Sequence, residues 1–164
     1  MMTIEVPPRG TRGARSPAAM LRFIFAPMAR IQISRYRRAT GPEQQRTFGF
    51  PALLLTTVGA RTGARRTVVV GGFPDGDDAW LVVASNAGAA SHPAWFHNLA
   101  RHPDQVWVQV GNRTLRVAGE SLLGARREEA LRRIYASAPR YASYQRKTDR
   151  EIPVVRLTRA GDPS

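Results

Sequence analysis

The sequence has no cysteine, and Lys147 is the only lysine among its 25 basic residues. Because thiols are absent, the chain cannot form a disulfide, a thiolate metal site or a cysteine nucleophile, so any redox chemistry requires a bound cofactor. No apolar run reaches the roughly 20 residues that span a bilayer. The N-terminus also lacks the apolar stretch and small-residue cleavage site of a signal peptide. These absences predict a cytoplasmic protein.

The chain is short and strongly basic. Its 164 residues and 43% hydrophobic content are sufficient for one domain with one continuous core. The formal net charge is +13, and the first 50 residues hold nine arginines and two glutamates, which leaves +7 in that segment. Positive charge favours anionic partners, namely nucleic acid, an acidic membrane surface, or a phosphorylated and carboxylated cofactor. Composition does not choose among these three.

Residues 1–47 are predicted to form a basic tail and an amphipathic helix, distinct from a main domain over residues 48–160. The segment 1–16 is rich in proline, glycine and arginine, which indicates disorder or loose attachment. We predict that residues 16–38 contact an anionic membrane surface, with simple packing on the main domain as the alternative. Apolar side chains recur there at near-helical spacing, interrupted near Pro27: Met20, Leu21, Ile24, Phe25, Met28 and Ile31.

The rest of the sequence alternates short apolar runs with Gly and Asp, a pattern typical of strands and tight turns. The clearest turns are Asp75-Gly76-Asp77-Asp78 and Gly111-Asn112. The order predicts a mainly β fold, a small barrel of about six mostly antiparallel strands with short helices, and not a doubly wound sheet. The predicted strands are 52–58, 66–73, 79–85, 105–110, 113–122 and 152–158, and the predicted helices are 93–101 and 126–138.

The loop Val58-Gly59-Ala60-Arg61-Thr62-Gly63-Ala64-Arg65-Arg66 places two glycines and three arginines between two predicted strands. Glycines let the backbone approach an anion closely, and guanidinium groups make forked bonds to phosphate or carboxylate. An ordinary solvated hairpin is the alternative. A Walker phosphate loop is excluded because the glycine spacing is short, no Lys-Ser/Thr follows, and a strand comes next where a helix is required. A Rossmann fingerprint fails for the same reason.

Histidines and tyrosines offer two further candidate sites. His92, His97 and His102 recur every five residues, which spreads them around a helix axis. We therefore expect structural or surface roles for them and no shared metal ion. Tyr141 and Tyr144 lie three residues apart, so one helical turn would place both phenols on one face. They suit an aromatic pocket and a core or interface position equally.

Four further segments occur in order and are more specific as a set than any one alone. They are Leu53-Leu54-Leu55-Thr56-Thr57-Val58-Gly59-Ala60-Arg61-Thr62-Gly63, Ala84-Ser85-Asn86-Ala87-Gly88-Ala89, His92-Pro93-Ala94-Trp95-Phe96-His97-Asn98-Leu99 and Thr148-Asp149-Arg150-Glu151-Ile152-Pro153-Val154-Val155. The set resembles the deazaflavin-dependent nitroreductase family of actinobacteria over about residues 48 to 158. The resemblance implies a split β-barrel of the flavin-nucleotide-binding type and the coenzyme F420, an 8-hydroxy-5-deazaflavin.

The resemblance also assigns coenzyme-binding residues. Arg61, Thr62 and Arg66 match family positions that hold F420, whose phosphate and oligoglutamate tail are anionic. The strand end at residues 84–86 borders the deazaflavin ring, and residues 94–98 follow the coenzyme. The implied binding residues are Ala60, Arg61, Thr62, Arg66, Thr67, Val68, Val83, Ala84, Ser85, Asn86, Ala94, Trp95, Phe96, His97, Asn98 and Tyr141.

The implied reaction is hydride transfer from C5 of the reduced deazaflavin to an electron-poor small molecule, such as a quinone, an enone or a nitro compound. Tyr141, Tyr144 and Ser85 are the predicted catalytic residues, because they match residues that close the acceptor side and hydrogen-bond the acceptor. No metal ion is implied.

The sequence departs from the family pattern at three positions. Family members often have a lysine at Asn86, and nitroreductase-active relatives carry tyrosines at Gly71 and Ala138. These departures predict a wider and less aromatic pocket. They bear on nitro reduction more than on coenzyme binding, because pocket walls determine acceptor choice.

Two other functions fit parts of the sequence. A flavin mononucleotide oxidoreductase on the same barrel is the nearest alternative, because the fold does not dictate the cofactor. A basic nucleic-acid-binding protein would explain the charge of +13 but leaves Trp95–Leu99 and Thr148–Val155 without a purpose. We therefore expect a small-molecule oxidoreductase that does not bind nucleic acid.

Overall fold

The computed structural model of the protein describes residues 3–15 and 22–161. Eight strands form one curled antiparallel sheet in the order β1-β2-β6-β7-β8-β5-β4, and β3 pairs with β2. The strands are β1 Arg46–Thr47, β2 Phe50–Val58, β3 Arg65–Gly71, β4 Phe73–Pro74, β5 Ala79–Val83, β6 Trp107–Val110, β7 Arg113–Ser121 and β8 Val154–Arg159. The helices are α1 Arg22–Arg38, α2 Ala94–Arg101, α3 Gly124–Ser137 and α4 Arg140–Lys147, with 3-10 turns at Pro42–Gln45 and Asn86–Gly88.

The predicted fold class is confirmed, with differences at the ends of elements. The six predicted strands correspond to β2, β3, β5, β6, β7 and β8, and the two predicted main-domain helices to α2 and α3. The structure adds the two-residue strands β1 and β4 and the helix α4. Pro139 ends α3 as expected, but it also occupies the N-cap position of α4, where proline is tolerated because its missing N–H would have no helical partner.

Strand β2 is buried on both faces, which explains its run of three leucines. Leu53 and Leu55 lie in the barrel core with Phe96 and Leu99 of α2. Leu54 faces the opposite side and packs with the α1 residue Tyr36 and its neighbours. A strand covered on both faces reads as a continuous apolar segment, without the alternation of a half-exposed strand. A second core lies between β5, β8 and the helices α3 and α4.

Helix α1 is fixed to the barrel at its C-terminal end. The Tyr36 hydroxyl donates to the Ala52 carbonyl at 2.9 Å and lies 3.2 Å from the Gln109 carbonyl. The helix continues to Arg38, beyond the last residue of the predicted apolar stripe, Ile31, and it contains Pro27. Its exposed residues include Met28 and Ile31. In the part of the chain that the structure describes, no helix is long and apolar enough to cross a bilayer. The start of the predicted stripe lies outside the described residues, so membrane contact stays a prediction.

The prediction that residues 1–16 are loosely attached is wrong for residues 3–15. This segment, here called the strap, lies along the loop that follows β5, where Gly10 N–H donates to the Ala90 carbonyl and Ala14 N–H to the Gly88 carbonyl, both at 2.9 Å. A Cβ at Gly13 would lie 2.3 Å from the Ala90 nitrogen, so only glycine allows this close approach. The Asp149 carboxylate accepts the N–H groups of Thr11 and Arg12, each at 2.9 Å.

The barrel is open between β3 and β5. Strand β3 pairs with β2, and β5 pairs with β4 and β8. No hydrogen-bonded ladder joins β3 to β5 among the described strands, so this edge forms a seam. At such a seam, the facing edges of β3 and β5 are accessible to a ligand, while the hydrophobic core behind them remains packed.

A buried arginine stabilises the β5 side of the seam. Arg150 is 2% exposed, and its guanidinium donates to the carbonyls of Ala84 at 3.1 Å, Ser85 at 2.8 Å and Ala89 at 2.8 Å. It has no carboxylate partner in the described part of the chain, and burial lowers the pKa of Arg150 to about 10. Its fourth contact is the His92 Nδ1 atom at 2.9 Å.

The contact with Arg150 determines the state of His92. A guanidinium only donates, so His92 Nδ1 accepts and the proton resides on Nε2. That Nε2–H donates to the Pro7 carbonyl of the strap at 2.7 Å. Burial lowers the pKa of His92, and the charges of Arg150 and His97 lower it further, against the opposing effect of the Pro7 carbonyl. His92 therefore has the structural role that was expected for it.

We predict that His92 makes the folded state less stable in weak acid. Below the ordinary histidine pKa of about 6.5, the His92 imidazole binds a proton in the unfolded chain. In the folded chain it stays neutral to lower pH, because its pKa is lowered. The free energy of unfolding should therefore fall as pH drops below about 6.5, by at most about 1.4 kcal/mol per pH unit from this group. Urea unfolding at about pH 7.5 and about pH 5.5 measures the loss.

The matched variants are His92→Gln and His102→Gln. Glutamine can accept from Arg150 and donate to Pro7 without titrating, so His92→Gln should lose less stability in acid than the wild type. His102→Gln should keep the wild-type dependence. An equal loss in all three proteins would contradict the role of His92.

Candidate functional site

Two clefts lie end to end at the seam and share Val68 and Trp95. The loop cleft, of about 760 Å³, lies between the β2–β3 loop and α2, and its lining is Gly59, Ala60, Arg61, Thr62, Arg66, Thr67, Val68, Ala94, Trp95, His97 and Asn98. The seam cleft, of about 330 Å³, is lined by Gln32, Thr47, Phe48, Phe50, Val68, Val69, Val70, Gly71, Val83, Ser85, Asn86, Ala87, Pro93, Trp95, Tyr141 and Tyr144. Together they form an elongated site.

The β2–β3 loop is a tight turn attached to α2. Gly59 N–H donates to the Ala64 carbonyl at 2.8 Å, and Gly63 has φ of 68°, a left-handed conformation that favours glycine. Asn98 joins the loop to the helix, because its Oδ1 accepts the Ala60 N–H at 2.9 Å and its Nδ2 donates to Thr57 Oγ1 at 3.2 Å. The Asn98 amide is therefore engaged on both sides by protein and orients the loop.

The arginines of this loop differ in their surroundings. The Arg65 guanidinium stacks over the Trp107 ring, 4.1 Å from its centroid. Arg61 and Arg66 line the loop cleft, and their guanidinium groups have no ion pair or hydrogen bond with the described residues. Unpaired guanidinium groups beside a cleft favour an anionic ligand there, because forked charged bonds to phosphate or carboxylate are strong.

Helix α4 brings the two predicted tyrosines together at the seam cleft. Their ring centroids are 5.6 Å apart in a T-shaped arrangement. The Tyr141 ring also packs against Phe50 at 5.4 Å and Phe73 at 5.7 Å, and burial raises the pKa of Tyr141. The hydroxyls of Tyr141, Tyr144 and Ser85 have no hydrogen-bond partner among the described residues. They are free to donate to a bound molecule.

Gly71 makes room for the Tyr141 phenol. A Cβ at this position would lie 2.4 Å from the Tyr141 hydroxyl oxygen and 3.0 Å from the Phe50 ring. The lack of a side chain at Gly71 is expected to widen the pocket, but the Tyr141 phenol fills the space next to this glycine. Ala138 is 2% exposed in the second core and does not line the seam cleft, so its expected effect on the pocket stays a prediction.

The loop after β5 has a strained but well-connected backbone. Asn86 and Ala87 have φ of 43° and 54°, in the left-handed region. Asparagine tolerates this conformation better than lysine does. The Asn86 Nδ2 donates to the Ser91 carbonyl at 3.0 Å, which closes the loop, while Arg150 holds the Ser85 carbonyl. Contacts within the protein therefore fix the conformation of this loop where it lines the seam cleft.

The predicted site residues fall into three groups. Ala60, Arg61, Thr62, Arg66, Thr67, Val68, Ala94, Trp95, His97 and Asn98 line the loop cleft. Val83, Ser85, Asn86, Tyr141 and Tyr144 line the seam cleft. Ala84 and Phe96 are fully buried in the barrel core, so their side chains support the cleft from behind. Sequence reasoning missed Phe48, whose only indication was an aromatic residue directly before glycine.

Comparisons with known proteins agree with this geometry. The family described as F420H(2)-dependent quinone reductase matches residues 28–159. An F420H(2)-dependent quinone reductase of Mycobacterium tuberculosis H37Rv is 37% identical over 144 residues, 84% of this chain and 94% of the relative. A solved structure described as an F420-H2 dependent reductase, FDR-A, is 36% identical with a TM-score of 0.59, over 65% of this chain and 93% of that one. Another, described as a domain-swapped dimer, is 32% identical with a TM-score of 0.61, over 78% and 95%.

These likenesses confirm the predicted split-barrel fold and the predicted resemblance to deazaflavin-dependent reductases. The matched region includes both clefts and all four motifs that carried the resemblance. Because the match spans most of the sequence and the named relatives are oxidoreductases, this chain belongs to the F420H(2)-dependent quinone reductase family and is an oxidoreductase.

Proposed function

We propose that this protein transfers a hydride from reduced F420 to a quinone bound in the seam cleft. The observation that carries the proposal is the pair of connected clefts, with unpaired arginines at one end and unpaired phenols at the other. An elongated coenzyme with an anionic tail and a flat ring fits that arrangement. The family and the names of its relatives support the same coenzyme.

The loop cleft suits the anionic part of F420. Arg61 and Arg66 would bind phosphate or carboxylate oxygens, and the Thr62 hydroxyl would add a neutral donor. The glycine-containing loop allows the backbone to approach these oxygens closely. Asn98 contributes indirectly, since its bonds to Ala60 and Thr57 hold the loop against α2.

The seam cleft suits the ring and the acceptor. Val68, Val83 and Trp95 offer an apolar surface for a flat ring. When bound, reduced F420 supplies the hydride. Reduction of a quinone places negative charge on an oxygen, which Tyr141, Tyr144 and Ser85 are placed to stabilise as hydrogen-bond donors. A phenol is protonated at neutral pH, and burial raises the pKa of Tyr141 further, so its hydroxyl is able to donate.

Quinones fit the site better than nitro compounds do. The tyrosine that nitroreductase-active relatives carry at Gly71 would collide with the Tyr141 phenol in its present position. Tyr141 occupies that space, and the cleft is lined by apolar side chains together with the hydroxyls of Ser85, Tyr141 and Tyr144. Two carbonyl oxygens on one planar ring match this distribution of donors.

The experiment that tests the function is turnover with the purified protein. Reduced F420 is mixed with a panel of quinones, enones and nitroaromatics, and the return of visible absorbance reports coenzyme oxidation. Quinones should give the largest kcat/KM. No coenzyme oxidation with any acceptor would overturn the proposed activity, and faster reduction of nitroaromatics or enones would overturn the acceptor class.

We predict that Arg61→Ala weakens coenzyme binding and that Arg65→Ala does not. Forked charged bonds contribute about 1.5–3 kcal/mol, so Arg61→Ala should raise the Kd for F420 by about tenfold or more. Arg65→Ala removes the same charge from the same loop, but its guanidinium is stacked on Trp107. Fluorescence titration with oxidised F420 measures both. If both variants raise the Kd equally, Arg61 contributes only to the overall positive charge of the loop and makes no specific bond to the coenzyme.

We predict that the phenols at the seam act on turnover more than on coenzyme binding. Tyr141→Phe should lower kcat and kcat/KM together by about tenfold, the scale of a lost transition-state hydrogen bond, with little change in the Kd for F420. Tyr144→Phe is the paired variant.

Tyr135→Phe is the control for this pair, since Tyr135 packs against the second core and lines neither cleft. It should retain wild-type kinetics. If both Tyr141→Phe and Tyr144→Phe keep wild-type kinetics on every acceptor that is reduced, these phenols are wall residues and the proton comes from solvent.

A further inference from the structure

Phe48 is a large apolar side chain at the edge of the site that the mechanism does not use. It stands at the tip of the β1–β2 hairpin, lines the seam cleft and is 69% exposed. The nearest aromatic ring of its own hairpin, Phe50, lies 6.3 Å away between centroids. The fold therefore gains little from this ring, whereas a ligand in the cleft would bury it.

The backbone of Phe48 provides a second, independent observation. Thr47 and Phe50 are paired in register, so Phe48 and Gly49 form a two-residue hairpin turn. Both have positive φ, 48° and 84°. Such turns favour asparagine or aspartate before glycine, and a bulky side chain in this region is strained. The turn does not account for phenylalanine, and strained residues of this kind cluster at ligand sites.

Arg140 connects this ring to the helix that carries the tyrosines. Its guanidinium carbon lies 3.8 Å from the Phe48 ring centroid, and it is the first residue of α4. This guanidinium has no ion pair or side-chain hydrogen bond within residues 3–15 and 22–161. Its stacking contact therefore holds the Phe48 ring at the seam cleft, which Phe48 lines and Arg140 does not.

We infer that Phe48, held by the stacking contact of Arg140, forms the outer wall of the acceptor site and selects fused-ring quinones. Phe48 covers the face of the quinone ring that points away from the barrel, and Arg140 positions the Phe48 ring. A fused ring offers more surface to Phe48 than a single ring does, so the pair discriminates by ring size. This inference deepens the proposed function and rests on it.

The test uses Phe48→Asn, Phe48→Ala and Phe48→Tyr in the full chain. Phe48→Asn introduces the favoured turn sequence, so the unfolding temperature should rise by about 3 °C. Phe48→Asn and Phe48→Ala should both raise the KM for 1,4-naphthoquinone by about tenfold and the KM for 1,4-benzoquinone by less than about threefold. In both variants, kcat and the Kd for F420 should stay within about twofold of the wild-type values. Phe48→Tyr should restore the wild-type KM. A change that stabilises the fold and weakens acceptor binding separates a ligand contact from a structural one.

Leu123→Ala and Arg101→Gln are the controls. Leu123 is another exposed large apolar residue, at 47%, and neither residue lines the seam cleft. Both should leave both KM values unchanged, whereas Arg140→Gln should raise the KM for naphthoquinone by about threefold or more. Naphthoquinone KM values within twofold of wild type in both Phe48→Asn and Phe48→Ala would overturn the inference.

A binding measurement separates this inference from the proposed function. Trp95 lines the seam cleft, so quenching of tryptophan fluorescence by 1,4-naphthoquinone reports binding without turnover. If the wild-type protein oxidises no reduced F420, the proposed function fails, but the quenching constant still tests Phe48. It should weaken by about tenfold in Phe48→Ala and stay at the wild-type value in Leu123→Ala. Equal quenching of all variants would overturn the role of Phe48.

Discussion

The arrangement of the acceptor side depends on one buried cation, the guanidinium of Arg150. It donates to three carbonyls and one imidazole, all within 2.8–3.1 Å, and no carboxylate among the described residues neutralises it. Each acceptor left without a donor would cost about 1–3 kcal/mol, a large share of the stability of a domain. The carbonyls belong to the segment that directly follows β5 and borders the seam cleft. The positions of Ser85 and Asn86 are therefore set before any ligand arrives.

The same cation joins the N-terminal strap to the site. Arg150 fixes the tautomer of His92, and His92 holds the Pro7 carbonyl. Asp149, the preceding residue, accepts from Thr11 and Arg12. Two adjacent residues before β8 therefore hold the strap, one directly and one through an imidazole. In the proposed reaction, preorganisation of this kind would keep the Ser85 hydroxyl in place, so that little reorganisation would be needed as charge develops.

The sequence predicted the barrel because its signals are local. Alternating apolar residues, Asp-Gly turns and prolines mark β5, β6 and β7 without knowledge of their partners. The strap was mispredicted because its contacts are backbone hydrogen bonds from a segment whose composition reads as disorder, and the close approach at Gly13 depends on a loop far away in the chain. The sequence does not predict helix α4, because a proline after α3 signals the end of one helix and does not by itself indicate the start of another.

As with the fold, the sequence predicted part of the candidate site and missed the rest. Motif matches identified the two loops and the two tyrosines, since their residue types carry the chemistry. They could not tell which side of a strand or helix faces the cleft, so Phe96 was grouped with Trp95 although it lies wholly in the core. Phe48 was missed because a two-residue strand leaves no periodic pattern, and its place in the cleft follows only from tertiary structure.

Titration of the purified protein with oxidised F420 and, separately, with flavin mononucleotide tests the coenzyme assignment most directly. Both ligands carry a phosphate and a flat ring, so the comparison asks whether the connected clefts accommodate the deazaflavin and its longer anionic tail. F420 should bind at least about tenfold more tightly than flavin mononucleotide at moderate salt. Equal or tighter binding of flavin mononucleotide would contradict the assignment and identify the barrel as a flavin site.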